Sequence, residues 1–204
     1  RSTLFPYTTL FRSRSIMGNT ATNVSTGKPN ISGAVYRAPL GTTLPTDATT
    51  SLGAAFVCLG YVSEDGLTNN NEMDVSAIKA WGGMIVYRSL NELDDNFVLT
   101  LIESENTDVL KAVYGDSNVT VDGSGNAHVV VKADDPQEAV WVFDLALRNN
   151  RAKRIVIKDG AITAREAITY NDSDAIGYGI TVSAYPDSTG KTHDEYLEGA
   201  IVSG

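Results

Sequence analysis

The chain has 204 residues, 42% of them hydrophobic, and a formal net charge of −9, which fits one ordinary domain with enough apolar material for a core. So acidic a balance excludes a phosphate-gripping surface as the main activity, because nucleic-acid affinity comes largely from Lys and Arg displacing counterions. The single cysteine, Cys58, excludes an intrachain disulfide, and no stretch approaches the roughly 18 apolar residues of a membrane span.

Residues 3–13, TLFPYTTLFRS, look like the in-frame translation of a sequencing-library adapter. Residues 1–16 are therefore read as a non-native segment and Met17 as the expected natural start. Setting aside the three cations Arg1, Arg12 and Arg14 moves the net charge from −9 to −12. No basic and apolar signal segment follows Met17, so a protein soluble where it is made is expected.

Residues 17–30 are polar and rich in Thr, Asn and Gly, and predict a flexible N-terminal arm. Order is expected from about Ile31. Short β-favouring runs then recur at 31–38, 54–63, 74–81, 84–90, 95–104, 118–121, 127–133, 139–147, 153–159, 162–170 and 177–185, with turn residues such as Gly82, Gly83 and Asp122 to Asn126 between them. Regular spacing of this kind predicts a mainly β fold, a sandwich or barrel. Cys58 lies in the apolar run AAFVCLGYV and is read as a small buried hydrophobe.

Alternation supports the strands, since successive side chains point to opposite faces. Phe97, Leu99 and Leu101 fall on one face of their run, and Trp141, Phe143, Leu145 and Leu147 on one face of theirs, the strongest core face in the chain. One segment breaks the period. In NTDVLKAVYG, Val109, Leu110, Val113 and Tyr114 recur at helical spacing, Asn106 or Thr107 can cap the start, and Gly115 suits the stop. One short flanking α-helix is predicted at 107–114, packed on the sheet. The residues after Asp187 read as a C-terminal arm, 188–204.

Enzyme readings lack parts, and no catalytic residue, cofactor or metal is expected. His128 and His193 have no second ligand at metal spacing, and His193 is read as lying in a polar tail. The acid pairs Glu64 with Asp65, Asp94 with Asp95, and Asp134 with Asp135 read as solvated turn residues. STGKT at 188–192 lacks the leading glycine of a phosphate loop, since position 185 is Tyr185. GSG at 123–125 reads as a hairpin turn. Trp81 and Trp141 read as core or strand-edge packing rather than a sugar-binding platform.

VYRAPLGTTLPTD at 35–47 followed by LGYVSEDGLT at 59–68 resembles the N-terminal signature of major tail tube proteins from siphophages of Gram-positive hosts. AIKAWGG, FVLTLIES, LKAVYG, WVFDL, KRIVIKDGAIT and ITYNDSDAIGYGITVSAYPD follow in the order and spacing of that family, so the resemblance covers about residues 31–187. It implies a β-sandwich or barrel domain over 31–187 with one flanking helix. It also implies hexameric rings stacked into a tube around the passage for genomic DNA, with a tape measure protein and a tail terminator as partners. DNA would pass without specific binding, and the protein would reside in the virion tail after assembly in the host bacterial cytoplasm.

Candidate inter-subunit contacts are the arm 18–30, the loop 39–53 with Pro39, Leu40, Gly41, Leu44 and Pro45, the polar loop 66–73, and the tail with Tyr196, Leu197, Ile201 and Val202. Unpaired sheet edges are expected to find partners in neighbouring copies. The acidic excess is expected to give a negative lumen. Alternative readings are the tube of a contractile tail or of a type VI secretion apparatus and, from another class, a carbohydrate-binding or adhesin sandwich.

Overall fold

The computed structural model describes residues 24–30 and 33–199. Eleven strands are present among them: β1 (Gly27–Pro29), β2 (Val35–Ala38), β3 (Val57–Cys58), β4 (Val62–Lys79), β5 (Ile85–Leu101), β6 (Val119–Val121), β7 (Ala127–Val129), β8 (Ala139–Leu147), β9 (Arg151–Arg165), β10 (Tyr178–Ala184) and β11 (His193–Leu197). One α-helix, α1 (Thr107–Tyr114), lies between β5 and β6. The fold is mainly β with one short helix, as the spacing of the apolar runs predicts.

β9 organises the sheet. Along one edge its first half pairs with β11, from Lys153 to Ile157, and its second half pairs with β10, from Gly160 to Arg165. Along the other edge it pairs with β8 only as far as Gly160. The strand therefore passes from one half of the fold to the other at Gly160. The first half runs β3, β2, β8, β9, β11, with β1 also on β8, and the second runs β9, β10, β5, β4, all antiparallel. A β-carbon on Gly160 would stand 3.0 Å from the Ser183 carbonyl oxygen, so the close backbone approach at this crossing requires glycine.

The two halves face each other across one core. Phe97 of β5 stacks on Phe143 of β8 with ring centroids 5.4 Å apart. Leu99, Leu101, Trp141, Ile155, Ile157, Ile180 and Val182 fill the rest, and the Trp141 indole N–H donates to the Gly160 carbonyl at 3.0 Å. The opposite face of β8 and β9 is also covered, since Val140, Val142 and Val156 are fully buried. There Arg154 donates to both carboxylate oxygens of Asp144, at 2.6 and 2.8 Å, and to the carbonyls of Asp47 and Thr50. That guanidinium ties the loop 39–53 down over the sheet.

α1 spans the residues its periodicity predicts. The Asn106 side chain accepts from the Asp108 N–H, and Gly115 ends the helix at φ 99 and ψ 141, a positive φ outside the left-handed helical well. Val109, Leu110 and Val113 bury its apolar stripe. The turn at 123–125 closes the β6–β7 hairpin, where the Asp122 carboxylate accepts from the N–H groups of Ser124 and Asn126.

Several boundaries differ from the sequence reading. Residues 66–73, expected to be a polar loop, belong to β4, and β4 and β5 form one long hairpin from Val62 to Leu101. The runs at 153–159 and 162–170 merge through residue 165 into β9. Residues 27–29 of the expected N-terminal arm pair with β8, and residues 193–197 of the expected C-terminal arm pair with β9 of their own chain. The remainder of both arms lies outside the described residues, apart from short flanking stretches.

Candidate functional site

The four-stranded half ends in two edges that no strand of the described chain pairs. One is the far edge of β4, 18 residues long. The other is the far edge of β9 beyond Gly160, where β8 has stopped. A groove of about 860 Å³ runs along this second edge, between Ile162 to Arg165 on one side and the end of α1 with residues 134–137 on the other. Asn118 borders it, and its Oδ1 is buried without a hydrogen-bond partner. Unpaired edges of this length attract another chain unless they are covered.

The outer face of this half follows from the register, because directly opposed residues share a face. Moving outward from the body, Thr68 lies opposite Val98 and Thr181, and Asn70 opposite Asn96 and Ser183. Glu72 then faces Asp94, Asp74 faces Glu92, and Ser76 faces Ser89. None of these positions is Lys or Arg. The polar groups are laced together: Thr163 and Ser183 hydroxyls meet at 2.7 Å, the Asn96 amide donates to Asp94 at 2.8 Å, and the Asn91 amide to Asp74 at 2.9 Å. Like charges directly opposite one another oppose strand pairing, so the acidic rungs cost the isolated hairpin stability.

Beyond Asp95 the hairpin leaves the body as a two-stranded arm roughly 30 Å long at about 3.3 Å per residue. Its other face continues the core face, with Met73 opposite Leu93 and Val75 opposite Leu90 and, nearer the tip, Ala77 opposite Arg88. The tip turns at Gly82 and Gly83, both at positive φ, with the Ala80 N–H donating to the Met84 carbonyl at 2.8 Å. Trp81, Met84, Ile85, Val86, Tyr87, Ile78 and Leu90 are all exposed. Trp81, expected in the core or at a packed strand edge, stands in solvent at the tip; only Trp141 is core. Exposed apolar surface on this scale marks an interaction site.

At the root of the arm sits a buried carboxylate. Asp95 accepts from Asn69 Nδ2 at 2.8 Å, Thr192 Oγ1 at 2.6 Å and His193 Nδ1 at 2.6 Å. Burial pushes the carboxyl pKa up, but the hydrogen bonds from Thr192, Asn69 and His193 outweigh it and the net value lies below the ordinary one. The sequence reading of Asp95 as a solvated turn residue, and of His193 as part of a polar tail, is corrected: Asp95 is in β5, and His193 lies edge-on to Phe97 at 5.3 Å between centroids.

The candidate contact residues fall in two groups. Pro39, Leu40 and Gly41 are exposed in the turn after β2, while Leu44 and Pro45 are half-buried. On β11, Tyr196 pairs with Arg154 and Leu197 with Lys153, so Tyr196 lies on the face of the sheet where Arg154 holds the loop 39–53. Ile201 and Val202 lie outside the described residues. The runs at 74–81 and 84–90 and the turn at Gly82 and Gly83 are read from the sequence and form the end of this hairpin, but its apolar tip, the most exposed apolar feature, is not among the candidate contacts, because a strand pattern alone does not show whether a neighbour covers it. Among the described residues no group of three His, Cys, Asp or Glu could hold a metal ion, and no helix is long and apolar enough to cross a membrane.

A family model described as phage tail tube protein matches residues 21–199. No curated protein matches the chain.

Proposed function

The chain belongs to the phage tail tube protein family, a structural component of the virion tail, and on that premise we propose that it closes rings by pairing its two free edges and stacks them through the hairpin arm. The observation that carries this reading is the four-stranded half with an open edge on each side. Four strands alternating in direction leave β4 antiparallel to the β9 of the next copy, so every junction in a ring repeats the internal pattern. The contact is head-to-tail, and closure needs only the right rotation per subunit. Six copies would give a barrel of twenty-four strands. The groove beside Ile162 to Arg165 receives the incoming β4, and the unpartnered side-chain Oδ1 of Asn118 offers it an acceptor.

In this assembly the outer face of the four-stranded half lines the passage. Small polar residues and the acidic rungs Glu72 with Asp94 and Asp74 with Glu92 let DNA slide without a cation to hold it. The apolar tip of the arm and the Met73 and Val75 rungs behind it reach a subunit of the adjacent ring. The order of the VYRAPLGTTLPTD, LGYVSEDGLT and later motifs favours a long non-contractile tail, as in siphophages of Gram-positive hosts. Assembly in the host cytoplasm, with a tape measure protein and a tail terminator setting length, completes the proposal.

Two measurements test it. Concentrated protein viewed by negative-stain microscopy is expected to form tubes. On a Cys58→Ser background, one cysteine placed within 66–71 and one within 161–165 of the same chain are expected to give a disulfide ladder ending at the sixth rung. Tubes whose cysteine pairs never cross-link at any register would remove the edge pairing, and protein that stays monomeric at all concentrations would remove the tube.

A further inference from the structure

The arm is a two-stranded ribbon, and such ribbons are marginal and strongly twisted when nothing flanks them. β10 supports β5 only up to Asn96, which pairs with Ser183. Residues 85–95 have no strand on that side. What holds the root beyond this point is the cluster on Asp95, whose side chain is 0% exposed.

That carboxylate joins three segments. Asn69 reaches it from β4, and Thr192 and His193 reach it from the start of β11. Asn69 also donates to the Asn96 carbonyl at 3.3 Å, so both strands of the root share the same donor. An ionised carboxylate only accepts, so His193 Nδ1 carries the hydrogen toward it. The His193 ring is packed against Phe97, which stacks on Phe143, and β11 is paired with β9 over five residues. The direction of the arm is thereby tied to the opposite half of the fold.

We propose that Asp95 is a positioning residue and that β11, through Thr192 and His193, is the clamp that sets the arm for contact with the next ring. The inference rests on the tube reading, deepening it by naming what aims the arm. Released from the clamp, the ribbon still forms but swings about its root. Rings remain possible because their edges lie in the body, whereas stacking loses its registration.

The test uses the full chain and hydrogen exchange on dilute, unassembled protein, followed by microscopy. His193→Phe keeps a ring against Phe97 and removes the donor; His193→Gln restores one. In His193→Phe combined with Thr192→Val, amides in 70–93 and 193–197 are expected to exchange at least tenfold faster while 97–101, 140–143 and 155–157 keep their protection. Asp95→Asn is expected to show the same local pattern, His193→Gln much less of it. Tubes of the double variant should be short or absent. Unchanged exchange in 70–93, or equal acceleration in every strand, would overturn the clamp, the second because it reports only loss of overall stability. The exchange result does not depend on polymerisation, so failure of wild-type chains to form tubes would count against the tube reading alone.

Discussion

Arg154 shows how a buried ion pair here serves placement. Its guanidinium and the Asp144 carboxylate are almost wholly buried, 4% and 9% exposed, and the remaining donor is spent on the carbonyls of the loop 39–53. Removing one partner leaves the other charge buried and unpaired, so Arg154→Ala is expected to cost about 3–5 kcal/mol in urea unfolding. A paired Arg154→Met, Asp144→Leu change is expected to recover most of that while the loop becomes sensitive to protease. Recovery with the loop still protected would show that the carbonyl bonds are dispensable. The carboxylates give a second residue-scale prediction. Hydrogen bonds from the Thr50 side chain and backbone hold Asp47 at about 2, and those from Thr189 do the same for Asp187, against an ordinary 3.8. A carboxyl lowered by folding stabilises above its unfolded value and loses that contribution as pH falls through its folded one. Melting temperature is therefore expected to hold from pH 7 to about 4 and to fall between about 4 and 2. Asp47→Asn with Asp187→Asn should flatten the decline, and an unaltered profile would refute the assignment.

Among the elements, β9 and the β4–β5 hairpin decide the architecture, and both were only partly legible in the sequence. α1 was legible to the residue because its cap, stripe and glycine stop are local to ten positions, Asn106 to Gly115. The core faces of β5 and β8 were legible because Phe97, Leu99, Leu101, Trp141 and Phe143 alternate against a packed interior. Residues 66–73 were not, since Gly, Asn and Glu disfavour strands and this stretch is held by its partner β5 rather than by burial. Likewise the runs 153–159 and 162–170 read as separate, because Gly160 and Ala161 interrupt the β-favouring pattern, yet the chain only bends there and continues. That bend gives a prediction. Gly160→Val forces a side chain against the Ser183 carbonyl and Ile157, both 3.0 Å from a β-carbon, and is expected to destabilise by roughly 1–3 kcal/mol or more. Gly123→Val, with no heavy atom within 4 Å of its β-carbon, is the matched control and should be near neutral. Equal denaturant midpoints for the two variants would show that the crossing tolerates a side chain.

At the scale of the whole molecule, folding does not account for the placement of charge, and the proposed tube does, through what would pass the subunit. Opposed acids at Glu72 with Asp94 and Asp74 with Glu92 weaken the ribbon that carries them, and no cation on that face relieves them. Repulsion between surface charges is screened beyond about 8 Å at physiological salt, so the acids act on DNA only if it runs close along this face, as it would in the lumen of a tube. Replacing Glu92 and Asp94 with Lys removes two acids and adds two cations per subunit, creating phosphate contacts whose strength falls steeply with salt. Virions carrying both substitutions are expected to build tails of normal length and to adsorb normally. Their DNA release, triggered in vitro, should be slowed at low salt and recover as salt is raised. Release at the wild-type rate from normal tails would place this face on the outside of the tube, where its acids would serve only solubility.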